Sequence, residues 1–169
     1  IGLAGSVYTG FDGRRSSETN AINDAGFVLG QSARYNGGSP FLGYGEWHFD
    51  GTTTTEIGLK GAEYTQASGY ISSPVIEWNE AGQVIGYSTR YNGGTGAMDS
   101  GEDAWYYDPA LHQTIPLRLS TRSDGYSSSS AEYLGEDGLV LGWYELFDSL
   151  DNHVGNRAFY FTVADGMHD

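Results

Sequence analysis

Short apolar pairs flanked by polar and glycine positions recur along this chain, and no stretch repeats its apolar residues at helical spacing between recognisable caps. The pairs Val28-Leu29, Val84-Ile85 and Val140-Leu141 each put adjacent large side chains on opposite faces of a strand. That arrangement predicts sheets covered on both sides. A turn precedes each pair: Asn23 to Gly30 reads NDAGFVLG, Asn79 to Gly86 reads NEAGQVIG, and Gly135 to Gly142 reads GEDGLVLG. The Asx-rich starts, with Gly26, Gly82 and Gly138 free to take positive φ, suit tight turns. The pattern predicts an all-β chain with no helix.

These segments follow one another at 56 residues in both steps, and the similarity extends outward from each. Upstream, YTGFDGRRSSETNAI from Tyr8, YTQASGYISSPVIEW from Tyr64 and STRSDGYSSSSAEYL from Ser120 keep the same period. Downstream, with a two-residue adjustment, come an aromatic strand around Trp47, Trp105 and Phe159, then Ile57-Gly58-Leu59 and Ile115-Pro116-Leu117. The chain opens on the same tripeptide, Ile1-Gly2-Leu3. A fixed period of this size marks a repeat architecture. The expectation is one domain over 1–169, with tandem units at roughly 4–59, 60–117 and 118–169, and 1–3 as the last strand of a preceding unit. Each unit supplies three or four short strands. Gly30, Gly86 and Gly142 sit inside a strand, where a missing side chain predicts close approach by a neighbouring unit.

With AINDAGFVLGQS at 21–32, the later aromatic strand and the Ile-Gly-Leu element, the chain resembles the HAF family of bacterial extracellular repeats over essentially its whole length. The third unit departs from the pattern, with Gly135 for the turn Asn and ELFDSLDN in place of RYNGG. The resemblance implies propeller-like blades and a place outside the cell or on its surface. Propellers use 4 to 8 blades, so three units imply part of a larger propeller or an assembly. A β-trefoil closes with three four-stranded repeats and is the alternative; a solenoid ranks third.

Composition removes several functions. Lys and Arg number 8 against 22 Asp and Glu, a net charge of -14 that repels phosphate backbones and anionic lipid. No apolar run approaches the roughly 18 residues of a membrane helix. The absence of cysteine excludes disulfides and thiolate chemistry. His48, His112, His153 and His168 share no repeat position and no metal-ligand spacing, and no phosphate loop or nucleophile motif is present. Nothing calls for a cofactor.

The candidate ligand residues are Arg34, Tyr35 and Asn36, with Arg90, Tyr91 and Asn92, from the two RYNGG loops. An Arg, a Tyr face and an amide have the chemistry to hold a sugar ring or a carboxylate, although Asn-Gly by itself predicts a hairpin turn with Arg and Tyr continuing the strand. Trp47 and Trp105, sharing their position with Phe159, read as packing. Asp99, Glu102 and Asp103, and Asp148, Asp151 and Asn152, supply clustered oxygens without the twelve-residue calcium-loop spacing, so solvated acidic loops are the favoured reading and no metal is expected. The functional expectation is a non-enzymatic binding or scaffold module for a protein or glycan partner, self-association included. A carbohydrate-binding domain and a polysaccharide-acting enzyme domain are the alternatives.

Overall fold

The first NDAG segment closes a tight turn, in which Gly26 N–H donates to the Asn23 carbonyl at 3.0 Å with Gly26 at φ 88°. The Asn23 side chain secures it by accepting from Phe27 N–H at 3.0 Å. The chain therefore reverses and the apolar pair that follows enters an antiparallel ladder. In the computed structural model, which describes residues 1–91 and 100–169, this gives the first hairpin of a four-stranded meander. Its strands are β1 (Ser17–Ile22), β2 (Val28–Ala33), β3 (Tyr44–Phe49) and β4 (Thr54–Glu56).

The same construction recurs in β5 (Val75–Trp78), β6 (Val84–Thr89), β7 (Gly101–Asp108) and β8 (Gln113–Leu117), and again in β9 (Ser127–Leu134), β10 (Val140–Phe147), β11 (His153–Thr162) and β12 (Gly166–His168). A short parallel pairing of β7 with β9, Gly101 opposite Ser127 and Glu102 opposite Ser128, joins these two meanders into one eight-stranded sheet. Neither sheet closes into a barrel, the element on which a trefoil depends. The sequence predicted no helix; among the described residues two single 3₁₀ turns occur, Ser6–Tyr8 and Ala62–Tyr64, each before its unit's first strand.

The core lies between successive meanders. Leu29 packs with Val84, Trp105 and Tyr107, and Ile85 packs with Val140, Phe159 and Phe161. One member of each apolar pair thus meets the other member of the next pair, as opposite strand faces require. Gly30 pairs with Trp47, Gly86 with Trp105 and Gly142 with Phe159. A methyl group at any of these glycines would run into that aromatic ring and into a carbonyl in, or just ahead of, the preceding strand: Glu18, Pro74 or Ser130. The space expected for a neighbouring unit is taken by the unit's own cross-strand ring. Gly30 and Gly86 are buried; Gly142 is half-buried.

Polar bonds cross the junctions at the repeat period. Asn23 Nδ2 donates to the Asn79 carbonyl at 3.1 Å, and Asn79 Nδ2 to the Gly135 carbonyl at 2.9 Å. Asp24 N–H reaches Glu80 Oε2 at 3.0 Å, and Glu80 N–H reaches Glu136 Oε2 at 3.1 Å. Leu3 N–H donates to Ser32 Oγ at 3.0 Å and Leu59 N–H to Ser88 Oγ at 3.1 Å, so the opening tripeptide occupies on the first meander the seat that Ile57 to Leu59 occupies on the second.

Candidate functional site

Asn36 and Gly37 take φ 48° and 74°, and Gly38 N–H donates to the Tyr35 carbonyl at 2.8 Å. This is the left-handed two-residue turn that Asn-Gly favours. It lies within the connection between Ala33 and Tyr44, so Arg34 and Tyr35 follow the strand and do not extend it. The reason is a competing set of bonds: Tyr35 N–H and Asn36 N–H both donate to the Val7 carbonyl at 2.9 Å, tying the loop to the first 3₁₀ turn. Arg34 points inward, donating from Nη1 to Tyr8 OH at 3.3 Å and Glu56 Oε1 at 3.2 Å while stacking on the Tyr8 ring.

The second loop repeats the plan in a more buried form. Arg90 stacks on Tyr64 and donates to Asp103 Oδ2 at 2.6 Å, and Tyr91 N–H reaches the Glu63 carbonyl at 2.7 Å. The two arginines therefore brace separate clusters. Tyr91 is buried, Tyr35 is half-buried under the Arg14 guanidinium, and Asn36 is exposed. Asn92 lies outside the described residues.

Among the acidic candidates, Asp99 also lies outside the described residues. Asp103 is fully buried, and both its oxygens are occupied, by Tyr64 OH at 2.6 Å, Arg90, Arg118 at 3.1 Å and Ser127 Oγ at 2.5 Å. It is a structural counter-ion. Glu102 is half-buried in a cleft of about 190 Å³ with Thr89, Tyr126 and Ser128, and burial raises its carboxyl pKa. Asp148 accepts from Asn152 Nδ2 at 3.1 Å, from Asn152 N–H at 3.0 Å and from Leu150 N–H at 2.8 Å, and Asp151 accepts from the Ser123 hydroxyl and from Ser123 N–H at 2.9 Å. These bonds hold both carboxyls below their ordinary values. Among the described residues no three His, Asp or Glu side chains form a metal-binding group.

A different residue stands out. Glu46 on β3 is nine-tenths buried, and no hydrogen-bond donor reaches its carboxylate among the described residues. It lines a cleft of about 200 Å³ between the first meander and the segment that leads into β5. Phe41, Tyr44 and Tyr70 form aromatic wall, and Gln31 lies opposite Glu46 in the ladder. Gln31 is itself opposite Glu18 and donates to its carboxylate. Burial, with Glu18 adding repulsion, raises the Glu46 pKa to about 7. An unpaired buried carboxylate beside aromatic faces and an amide is arranged to receive hydroxyl or cationic donors.

The matching position in the second meander explains why this stands apart. Tyr87 opposite Ala104 replaces Gln31 opposite Glu46, and Ala104 belongs to the apolar core. The first unit thus spends a core position on an acid. The signal was present in GEWHFD against DAWYYD, where Glu46 aligns with Ala104 beside a shared Trp. Reading the strand as packing alone passed over it. The cleft recurs at the next junction: Gly43 and Gly101, at φ 90° and 82°, let the following unit's backbone come against them, and Tyr70 and Tyr126 take equivalent places. No family model, curated protein or solved structure matches the chain. No helix among the described residues is long and apolar enough to cross a membrane.

Proposed function

We propose that this chain is a binding module of propeller-like β-repeats, working outside the cell or at its surface, and that it holds a glycan between its first two units. The extracellular setting and the blade-like arrangement rest on the resemblance of 21–32 and its repeats to the HAF family. The ligand class rests on Glu46. A sugar ring offers vicinal hydroxyls as donors to the carboxylate and a C–H face to the aromatic wall of Phe41, Tyr44 and Tyr70, while Gln31 supplies both donor and acceptor.

A glycan array carrying neutral and acidic oligosaccharides tests this, followed by titration of the best ligand. Tyr44→Ala and Glu46→Gln are each expected to weaken binding tenfold or more with the thermal transition retained. An array without ligands, or variants that bind as the parent does, would reject the reading.

Glu46 also favours a second reading. A carboxyl protonated up to about pH 7 is suited to general-acid work, and Glu18 lies across Gln31 from it, so a polysaccharide-acting enzyme has a candidate acid and partner. Release of reducing ends from acidic and neutral polysaccharides, lost in Glu46→Gln, distinguishes cleavage from binding.

A further inference from the structure

The first two units handle their paired cations differently. In the second, Arg90 and Arg118 face two carboxylates: Asp103, at 2.6 and 3.1 Å, and Glu63, at 3.1 and 3.5 Å. In the first, the corresponding Arg34 and Lys60 share one carboxylate, Glu56, at 3.2 and 3.0 Å. Register fixes the correspondence: Gly45 stands opposite Ser32 where Asp103 stands opposite Ser88. The two 3₁₀ turns, Ser6-Val7-Tyr8 and Ala62-Glu63-Tyr64, then place Val7 where Glu63 stands. One unit has two cations against two anions and the other has two against one.

Where the second carboxylate is missing there is a pocket of about 260 Å³. Val7, Leu59 and Ile71 give it an apolar wall, and Arg34 and Lys60 supply donors beside Glu56, while the Thr65 hydroxyl is already given to the Gly61 carbonyl at 2.8 Å. Within the described residues Arg34 uses only Nη1 on its neighbours, and the Lys60 side chain is half exposed. We infer that this pocket binds a carboxylate from outside, which takes the place that Glu63 fills from within in the second unit. A guanidinium and an ammonium converging on one site in a chain of net charge -14 form a local positive centre suited to such a group. Ile71 lines this pocket and the Glu46 cleft alike, so the two adjoin. Resting on the glycan reading, the ligand is an acidic sugar, its carboxylate at Arg34 and Lys60 and its hydroxyls toward Glu46.

Calorimetric titration of the full chain with sodium glucuronate, glucuronic acid methyl ester, glucose and sodium acetate separates the parts of this inference. Glucuronate is expected to bind at least tenfold more tightly than the ester. Val7→Glu, which supplies the missing carboxylate in place, is expected to abolish that preference without lowering the melting temperature. Lys60→Met, at a half-exposed side chain, gives the same loss by a route that leaves Val7 intact. Equal binding of acid and ester overturns the carboxylate site and leaves the glycan reading standing. Acetate binding that Val7→Glu removes, with neither sugar form preferred over it, supports the site and counts against the sugar. If none of the four binds, both fail.

Discussion

Glu46 and His48 lie two residues apart on β3 and respond to pH in opposite senses. Burial raises Glu46 from 4.5 to about 7, so between those values the folded state holds a proton that the unfolded chain has released, and stability falls as pH rises. Burial lowers His48 from 6.5 to about 4, among Phe27 and Tyr107, so there the unfolded chain holds the extra proton and stability grows as pH rises. From about pH 4.5 to 6.5 the two slopes offset. Glu46→Gln removes the carboxyl's opposing slope, so unfolding free energy from urea titrations is expected to climb more steeply than the parent's between pH 4.5 and 6.5, the difference reaching up to about 3 kcal/mol. A variant with the parent's pH profile would contradict this pairing. The in-strand glycines make a second residue-scale test: Gly86→Val drives a side chain into the Trp105 ring and the Pro74 carbonyl, and a loss of about 1 to 3 kcal/mol or more is expected in the same assay. That these glycines needed empty space was legible in the sequence. What fills it was not, because cross-strand register depends on the loop between β2 and β3 and its equivalents.

At the scale of the element, the turn before β6 does two jobs with one side chain. Asn79 Oδ1 accepts from Gln83 N–H at 3.1 Å within the turn, and Nδ2 donates across the junction to the Gly135 carbonyl. Asn79→Gly removes both and leaves a buried carbonyl without its donor, at a cost of about 1 to 3 kcal/mol. Hydrogen exchange is expected to quicken in β9 and β10 more than in β2 and β3, because the lost bond joins the second and third units. Uniform quickening across all strands would refute a junction role. The Asx-Gly turns, the strand pairs and the 56-residue period were all legible, since each is written in local spacing. The RYNGG loops were legible only as turns: the tether of Tyr35 and Asn36 to Val7 spans distant positions, and so does the Arg34 strut to Glu56. The site itself was missed for the same reason, as Glu46 gains its meaning from Gln31 and the segment at 70–74.

For the molecule as a whole, the net charge of -14 sets the response to cations. Asp103 has both oxygens engaged by protein donors, and a net charge of this size draws any divalent cation by screening, so Ca²⁺ and Mg²⁺ at equal concentration are expected to shift the melting temperature alike. A rise of several degrees with Ca²⁺ alone, lost in Asp99→Asn, would reveal a specific site. The order of units along the array carries a further implication. Asn23 and Asn79 each pass an amide to the following turn, but at the third turn the residue is Gly135, which has none to pass. Copies of an Asn-bearing unit can thus be spliced between existing ones with every crossing bond renewed, whereas a unit placed after the third would meet a turn with no amide to offer.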